Sequence, residues 1–436
     1  MSQKIKQVIK RNGAVVPFIS ERITNAIYRA LIAIGHHDRP LAQEMSGQVV
    51  AILEETAPCG GVPSVEEIQD MVEAVLIKNE QVELAKAYIL YRADRARGRA
   101  EKTSKSHRTA GSIPYRKIWH VLSWAVDHDL NTVQRLNARI ARGEFPDIVR
   151  ETDAAYVEDV TTAADLVIER RGDVRIVIIA GPSSSGKTTT TIKLGQRLEE
   201  EGLGLVALNV DNYFFDLNMH PKDEYGDYDF ETPQALDLEL INEHLDRLIR
   251  GEEVLIPRYD FKTGTRQLDV TRMQIRPNDI ILIDSLHGLY GPMTEGIPDE
   301  RKFRLYIETL LQMKDPAGNF IRWTDLRLMR RMLRDEIYRS YDPQMTLEHW
   351  HYVRSSELRN IVPYVNTADY IVNSALPYEL PIVRPKLLDH FEKWVDLYRD
   401  DPQRQDAFLR ANRVCGLLQS VTPVEDDSAI PLDSLL

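Results

Sequence analysis

The segment Gly181–Thr188 constrains the fold of this chain more than any other part of the sequence. It reads GPSSSGKT and matches the pattern G-x-x-x-x-G-K-[ST] at every fixed position. An apolar run at 174–179 precedes it, and a helical pattern at 189–200 follows it. In such a loop, backbone N–H groups converge on anionic oxygens, and the helix N-terminus adds partial positive charge. The pattern therefore predicts a strand, a phosphate-binding loop and a helix in an α/β domain.

The side chains of this loop predict a site for ATP and Mg²⁺. Lys187 is expected to reach the β and γ phosphates, and the Thr188 hydroxyl to bind the metal. The motif alone does not separate kinases from ATPases, GTPases or motor proteins. The residues predicted to bind ATP are Gly181, Ser183, Ser184, Ser185, Gly186, Lys187, Thr188 and Thr189.

Two acidic residues follow further strand-like runs. Apolar runs at 204–209 and 279–283 alternate with helical patterns, which predicts a mainly parallel sheet flanked by helices. Asp211 is a candidate base for the proton of an attacking hydroxyl, and also a candidate ligand in the Mg²⁺ shell. Asp284 ends an apolar run and predicts a second anchor for Mg²⁺. The alternative for both is an ordinary acidic residue at the end of a strand.

An arginine-rich stretch at 322–359 predicts a lid over the site. Phosphoryl-transfer sites use guanidinium groups to clamp the moving phosphoryl group and to exclude water. We expect Arg334 and Arg339 to act in catalysis, whereas others of the group are expected on solvated helix faces. The eight arginines are Arg322, Arg327, Arg330, Arg331, Arg334, Arg339, Arg354 and Arg359.

Composition excludes several classes of protein. The chain has 436 residues, 43% of them hydrophobic, and lacks the run of about 18 apolar residues that a membrane span requires. A formal net charge of −12 argues against a main role in binding nucleic acid. Two cysteines are too few for a disulfide framework or a cysteine-based zinc site. The polar, basic start favours a cytoplasmic location.

The chain is long enough for several domains. A hairpin around Asn12 and Gly13 opens it, and helical patterns follow at about 20–35, 39–57, 64–79 and 81–98, the third with a capping-box pattern. We expect the last dozen residues, rich in Asp and Pro, to form a loose tail. The predicted parts are a small domain at 1–98, a linker at 99–113, a helical connector at 114–170, the α/β domain at 171–385 and a helical extension with a tail at 386–436.

Four signatures in order make the segment 170–375 resemble the phosphoribulokinase/uridine kinase family. They are GPSSSGKTTT at 181, VDNYF at 210, DYDFETPQALD at 227 with IPRYDF at 256, and RLMRRMLRD at 327. The resemblance implies a P-loop kinase in which Asp211 is the catalytic base and Glu231 binds sugar hydroxyls. It also implies that Tyr259 and Phe261 line the acceptor pocket, and that the lid contains Arg331, Arg334 and Arg339.

One departure from the family pattern bears on the acceptor. Where uridine kinases carry a histidine that reads the pyrimidine base, this chain has KTGTR at 262–266. Phosphoryl transfer is unaffected by that difference, but uridine becomes a less certain acceptor.

The N-terminal part, about 1–95, resembles an ATP-cone, a nucleotide-sensing module. The matching patterns include VIKRNG at 8–13 and AKAYILYR at 85–92. The resemblance implies a regulatory nucleotide, with Lys10 and Arg11 as cations beside a tight turn. Such a second site provides a basis for allostery, with 114–170 as the transmitter and a homo-oligomer as the responding form.

Three functions remain open at this level. The first is a regulated kinase for a nucleoside such as uridine or cytidine. The second is a sugar, sugar-phosphate or polyol kinase related to phosphoribulokinase. The third is a nucleotide-responsive regulator without catalysis, against which the combination of Lys187, Thr188, Asp211 and Asp284 argues, because a sensor needs no base.

Overall fold

A short antiparallel strand pair and three helices form the described part of the first of two units, residues 1–108. The predicted capping box is present, since Ser64 N–H donates to Glu67 Oε2 at 2.6 Å and Glu67 N–H donates to Ser64 Oγ at 3.2 Å. The elements are β1 (Gln7–Ile9), β2 (Val15–Pro17), α1 (Glu21–Ala33), α2 (Arg39–Thr56) and α3 (Val65–Lys78).

The computed structural model leaves some predicted features outside its description. The Asn12-Gly13 turn and most of the helix expected at 81–98 fall there. Within the described part of the chain, no helix is long and apolar enough to cross a membrane. All residues are described except 1–4, 10–14, 35, 37, 57–61, 80, 82, 86–87, 89–112, 222–231, 340–341 and 402–403.

The second unit, residues 109–436, is built around a parallel sheet of five strands. The strand order is β4-β7-β3-β8-β9, and β5 and β6 form a separate antiparallel hairpin. The predicted α/β class is confirmed, although β8 and β9 were not predicted. The strands are β3 (Ile176–Ala180), β4 (Gly204–Leu208), β5 (Val254–Asp260), β6 (Thr265–Met273), β7 (Asp279–Ser285), β8 (Lys302–Glu308) and β9 (Tyr370–Asn373).

Helices cover both faces of this sheet. Every residue of β3 is buried, because alternate side chains enter cores on opposite faces. Ile176 and Ile178 pack in the core that includes the helix Leu238–Ile249, whereas Val177 and Ile179 pack in the core that includes the helices Phe145–Glu169 and Lys187–Glu200. The helices are α4 (Tyr115–Asp127), α5 (Val133–Ala141), α6 (Phe145–Glu169), α7 (Lys187–Glu200), α8 (Leu238–Ile249), α9 (Trp323–Arg339), α10 (Pro343–Asn360), α11 (Glu379–Tyr398) and α12 (Gln405–Ser420).

The flanking helices are part of the second unit's core. The segment predicted as a connector forms α4 to α6, and Tyr156 of α6 donates or accepts a hydrogen bond with Thr190 of α7 at 2.8 Å. The predicted domain limits and the transmitter role of 114–170 stay predictions.

The last dozen residues do not form the loose tail that we expected. Asp433 pairs with Lys193 of α7, and Ser434 Oγ shares a 2.8 Å hydrogen bond with the Tyr378 hydroxyl. Leu435 and Ile430 pack against hydrophobic cores. The prediction was wrong because isolated apolar residues among polar ones give no periodic signal, yet each can dock on a preformed surface.

Candidate active site

The phosphate-binding loop connects β3 to α7 and has the tight backbone that its glycines and serines permit. Gly186 has φ 90° and Ser184 has φ 59°, both in the left-handed region. The hydroxyls of Ser184 and Ser185 are buried without a hydrogen-bond partner among the described residues. Buried hydroxyls ordinarily have hydrogen-bond partners, so the missing partners of these two serines fit a loop that closes around a polar ligand.

Lys187 and Thr189 both lie in the first turn of α7, at the end that attracts anions. The Lys187 ammonium folds back over the loop, where it donates to the carbonyl oxygens of Gly181 at 2.9 Å and Pro182 at 3.2 Å. The charge predicted to meet the phosphates therefore lies directly above the loop.

No Cβ atom fits at Gly181 without a shift of the neighbouring atoms. A Cβ atom at Gly181 would lie 2.4 Å from the Ile307 carbonyl oxygen of β8 and 2.8 Å from Ser185 Oγ. We expect Gly181→Ala to displace the loop and to weaken ATP binding at least about 10-fold, as a misplaced site costs at least ~1.4 kcal/mol. Isothermal calorimetry measures the change.

Gly172→Ala is the matched control for that loop variant. A Cβ at Gly172 meets no atom within 4 Å, so ATP affinity should stay unchanged. Equal affinities of the Gly181 variant and the wild type would contradict the predicted role of the loop.

Thr188 and Asp284 meet as the predicted metal site requires. The Thr188 hydroxyl donates to Asp284 Oδ2 at 3.2 Å, because β7 is the direct neighbour of β3 in the sheet. Hydroxyl and carboxylate oxygens are hard donors of the kind that Mg²⁺ prefers. These two residues therefore fit the metal that the sequence predicts.

Asp211 lies at the same edge, in a short 3₁₀ turn just after β4. Asn209 caps this turn by accepting the Asp211 N–H at 2.9 Å. The side chain is accessible from the cleft, yet surrounding protein atoms desolvate it, and this raises the pKa of its carboxyl. The Asp284 charge raises that pKa further, while the Lys187 charge opposes the rise. Two carboxylates and one ammonium thus face the same small space.

The raised pKa of Asp211 gives a prediction for stability against pH. The folded state holds the proton of the Asp211 carboxyl more tightly than the unfolded state does. Protonated Asp211 therefore contributes to stability at low pH, and this contribution is lost as pH rises through the folded pKa. Asp211→Asn should therefore raise the melting temperature at pH 7 by about 1–3 °C. The gain should shrink as pH falls towards the ordinary aspartate pKa of about 4.

Thermal unfolding at both pH values tests that prediction. Asp246→Asn, on the exposed surface of α8, is the control and should show no comparable gain at pH 7. A lower melting temperature for the Asp211 variant at pH 7 would contradict the prediction.

Two arginines of α9 contact the phosphate-binding loop. Arg331 Nη1 donates to Ser183 Oγ at 2.8 Å, and its Nε donates to Asp335 at 2.9 Å. Arg327 is fully buried and donates to the Ser183 carbonyl at 3.1 Å. Arg331 is thus close to the loop, while its roles in the lid and in substrate binding stay predictions. Arg327 is a supporting residue that sequence reasoning did not single out.

Arg327 is held by two buried carboxylates. Its Nε lies 2.9 Å from Glu308 at the end of β8, and its Nη1 lies 2.5 Å from Glu357 of α10. The desolvation of Arg327 is outweighed by these two charges, which raise its pKa. The side chains of Arg327, Glu308 and Glu357 thus connect α9, β8 and α10 to the loop.

The structure gives less information about Arg334 and Arg339, the two arginines predicted to act in catalysis. Arg334 lies 3.6 Å from Asp335 with 39% of its side chain exposed. Arg339 ends α9, and its side chain lies outside the described part. Their catalytic roles stay predictions.

An aromatic cluster lies beside Asp211. Asn212 Oδ1 accepts the Tyr259 N–H at 3.4 Å, which joins the turn after β4 to the hairpin. The ring centroids of Tyr259 and Phe261 are 4.9 Å apart, and Phe214 lies 5.5 Å from Tyr259. The His220 ring stacks on Tyr259 with an angle of 20° between the planes. Sequence reasoning found Tyr259 and Phe261 but not Phe214 or His220, although Phe214 is within the VDNYF signature.

Burial differs within the cluster. Tyr259 is buried, and this burial, aided by Asp216, raises the pKa of its hydroxyl. Phe261 is 62% exposed, so it lies on the solvent side of the cluster. Glu231, Lys10 and Arg11 lie outside the described residues, so their predicted binding roles stay predictions.

Two family models match the chain, and both resemblances inferred from the sequence are confirmed. Residues 176–379 match the phosphoribulokinase/uridine kinase family, and residues 6–97 match the ATP cone domain. The first match contains the loop, both aspartates and the aromatic cluster.

Curated relatives cover the same half of the chain. A uridine kinase from Deinococcus deserti is 28% identical over 204 residues, which is 46% of this chain and 89% of the relative. A uridine kinase from Oceanobacillus iheyensis is 29% identical over 45% of this chain and 85% of its own length. Among solved structures, a possible uridine kinase from Bacillus stearothermophilus has 17% identity and covers 49% of this chain and 98% of its own, with a TM-score of 0.28. The family match and the relatives support a kinase of the phosphoribulokinase/uridine kinase family.

Proposed function

We propose that this protein is a cytoplasmic, ATP-dependent kinase that transfers the γ-phosphoryl group to a hydroxyl of a nucleoside such as uridine or cytidine. The observation that carries the proposal is the meeting of Thr188, Asp284 and Asp211 at one edge of the sheet, directly beside the phosphate-binding loop. A pure nucleotide sensor would need the loop and the metal pair, but not a second carboxylate on the acceptor side.

The residues present supply each part of a phosphoryl transfer. The loop and Lys187 hold the phosphates, and Thr188 with Asp284 would hold Mg²⁺, which neutralises charge on the phosphate oxygens. Asp211 accepts the proton of the acceptor hydroxyl as the new O–P bond forms. The bond between the γ-phosphorus and its bridging oxygen breaks in the same event, and ADP leaves. Arg331 is close enough to the loop to stabilise the transferred group.

The aromatic cluster favours a nucleoside acceptor over a sugar phosphate. Planar rings such as those of Phe261 and Phe214 suit a nucleobase, with gains from offset or edge contacts. A sugar phosphate would need a cation, but Arg266 in the hairpin is already paired with Asp237 at 2.8 Å. Because the base-reading histidine of uridine kinases is replaced by KTGTR, His220 is the remaining imidazole of this cluster.

The ATP cone match supports a regulatory nucleotide in addition to the substrate ATP. We propose that this nucleotide binds near Lys10 and Arg11 and changes the association of a homo-oligomer. Size-exclusion profiles with ATP, with dATP and without nucleotide test this. Identical profiles in all three conditions would contradict it.

The proposed reaction is tested with a panel of acceptors. The full chain is incubated with ATP and Mg²⁺ against nucleosides, sugars, sugar phosphates and polyols, and ADP release is followed. Turnover stimulated by uridine or cytidine alone would support the proposal, whereas stimulation by a sugar phosphate would favour the phosphoribulokinase-like alternative. ATP binding without turnover on any acceptor would favour the regulator.

A further inference from the structure

The segment 431–436 lies against the phosphate-binding loop. Asp433 pairs with Lys193 on α7, the helix that follows the loop, and Ser434 is hydrogen bonded to the buried Tyr378. These two anchors bring Leu435 to Gly186. A Cβ atom placed on Gly186 would be 2.7 Å from Leu435 Cδ2, so the leucine methyl is in direct contact with the loop backbone.

The contact is on the β9 side of the loop. The nearest other atoms to that Cβ position are Ser374 Cβ, just after β9, at 3.7 Å and Arg330 Nη1 at 3.8 Å. In the sheet order β4-β7-β3-β8-β9, the loop follows the central strand β3. Asp284 and Asp211 belong to β7 and to the turn after β4, on the opposite side of the loop from Ser374.

Together with the proposed role of Asp211, this arrangement indicates on which side of the loop the nucleoside of ATP lies. In phosphoryl transfer the attacking and leaving oxygens are roughly in line with the phosphorus, on opposite sides of it. The attacking hydroxyl is on the side of Asp211, so the leaving ADP extends towards β8 and β9. Leu435 occupies that side of the loop at Gly186.

The surroundings of Leu435 are mixed, because the side chain packs against two hydrophobic cores while two buried polar atoms lie near its contact with Gly186. Arg330 Nη1 and Ser374 Oγ are both buried without a hydrogen-bond partner among the described residues. The rest of the Arg330 guanidinium is committed to Glu379 and to the Ser374 carbonyl oxygen, which fixes its orientation. Buried polar atoms are ordinarily satisfied, so two unsatisfied atoms at the edge of this space indicate a site whose ligand is polar.

We propose that the segment 431–436 is a displaceable competitor of the nucleotide. Leu435 fills the nucleoside side of the phosphate-binding loop, and ATP binds after the segment has moved away. The proposal rests on the proposed function in two respects: ATP binds at this loop, and the acceptor hydroxyl approaches from the side of Asp211.

The segment is attached weakly enough to be displaced. Its ion pair joins an Asp433 side chain that is 75% exposed to a Lys193 side chain that is 19% exposed, and solvent screens the pair on the Asp433 side. The segment has no regular secondary structure, and Leu432 within it is fully exposed. When the segment 431–436 occupies the site, it therefore reduces ATP affinity by a moderate factor rather than abolishing it.

Calorimetric titration of the full chain with ATP tests the proposal. Leu435→Ala removes the side chain that fills the site, and the dissociation constant for ATP should fall by about threefold to tenfold. Leu432→Ala, a change of the same size on the exposed side of the segment, should leave the constant unchanged. Equal or weaker ATP binding by Leu435→Ala overturns the proposal, provided that its melting temperature is unchanged; weaker binding would make Leu435 a wall of the nucleotide pocket.

Hydrogen exchange of the wild-type chain gives an answer that needs no variant. Added ATP should increase deuterium uptake at 431–436, since displacement exposes these amides. Unchanged or decreased uptake at saturating ATP would overturn the proposal. Both measurements follow ATP binding and need no acceptor. The competitor proposal can therefore be supported even if the protein phosphorylates nothing in the panel, and it can be overturned even if the protein is an active kinase.

Discussion

Asp211→Asn is expected to reduce phosphoryl transfer by about 10²–10⁴-fold, the range for loss of a general base. The amide keeps the shape of the side chain but cannot accept the acceptor's proton. ATP affinity should hold or rise slightly, because the change removes a negative charge near Asp284 and Lys187. Initial rates of ADP release, with the acceptor that the panel identifies, measure the effect.

Asp246→Asn is the control for this loss of rate. Asp246 pairs with Arg250 on the surface of α8, so its variant should keep the wild-type rate. If Asp211→Asn retained more than about a tenth of the wild-type rate, Asp211 would not be the base. Unchanged ATP binding alongside a lost rate would separate a catalytic role from a role in nucleotide affinity.

Arg327→Met is expected to be the most destabilising of the arginine variants. It leaves Glu308 buried without its cation and deprives Glu357 of one of its two arginine partners, the other being Arg354. Breaking a buried ion pair by removing one member costs about 3–5 kcal/mol, which corresponds to a fall in melting temperature on the order of 10 °C. Thermal unfolding measures this, and the lost contact to the Ser183 carbonyl should also weaken ATP binding.

Arg322→Met is the matched control, since Arg322 is exposed just before the same helix. Its melting temperature should stay within about 2 °C of the wild type. The double variant Arg327→Met with Glu357→Gln should lose less stability than the sum of the single changes, because the residues act as a pair. Additive losses would show that the cluster is not coupled.

The local features of this chain were predicted from the sequence because short-range rules specify them. The strand, loop and helix around Gly181, the capping box at Ser64 and the strand ends at Asp211 and Asp284 each depend on neighbouring residues. Motif order then predicted the kinase family over 170–375, and the family model matches residues 176–379. Strand β9, YIVN, was missed because a short apolar run does not by itself distinguish a strand from a helix segment. Strand β8, KFRLYIE, alternates polar and apolar residues, a strand signal that the sequence analysis did not use.

The tertiary structure decided which residues meet. Eight arginines look alike in the sequence, and only the packing of α9 against β8 and α10 makes Arg327 a buried support and Arg331 a contact of the loop. The same holds for Leu435, whose contact with Gly186 joins positions far apart in the chain. Sequence patterns record periodicity and local chemistry, whereas burial and pairing between distant segments depend on how the whole unit packs.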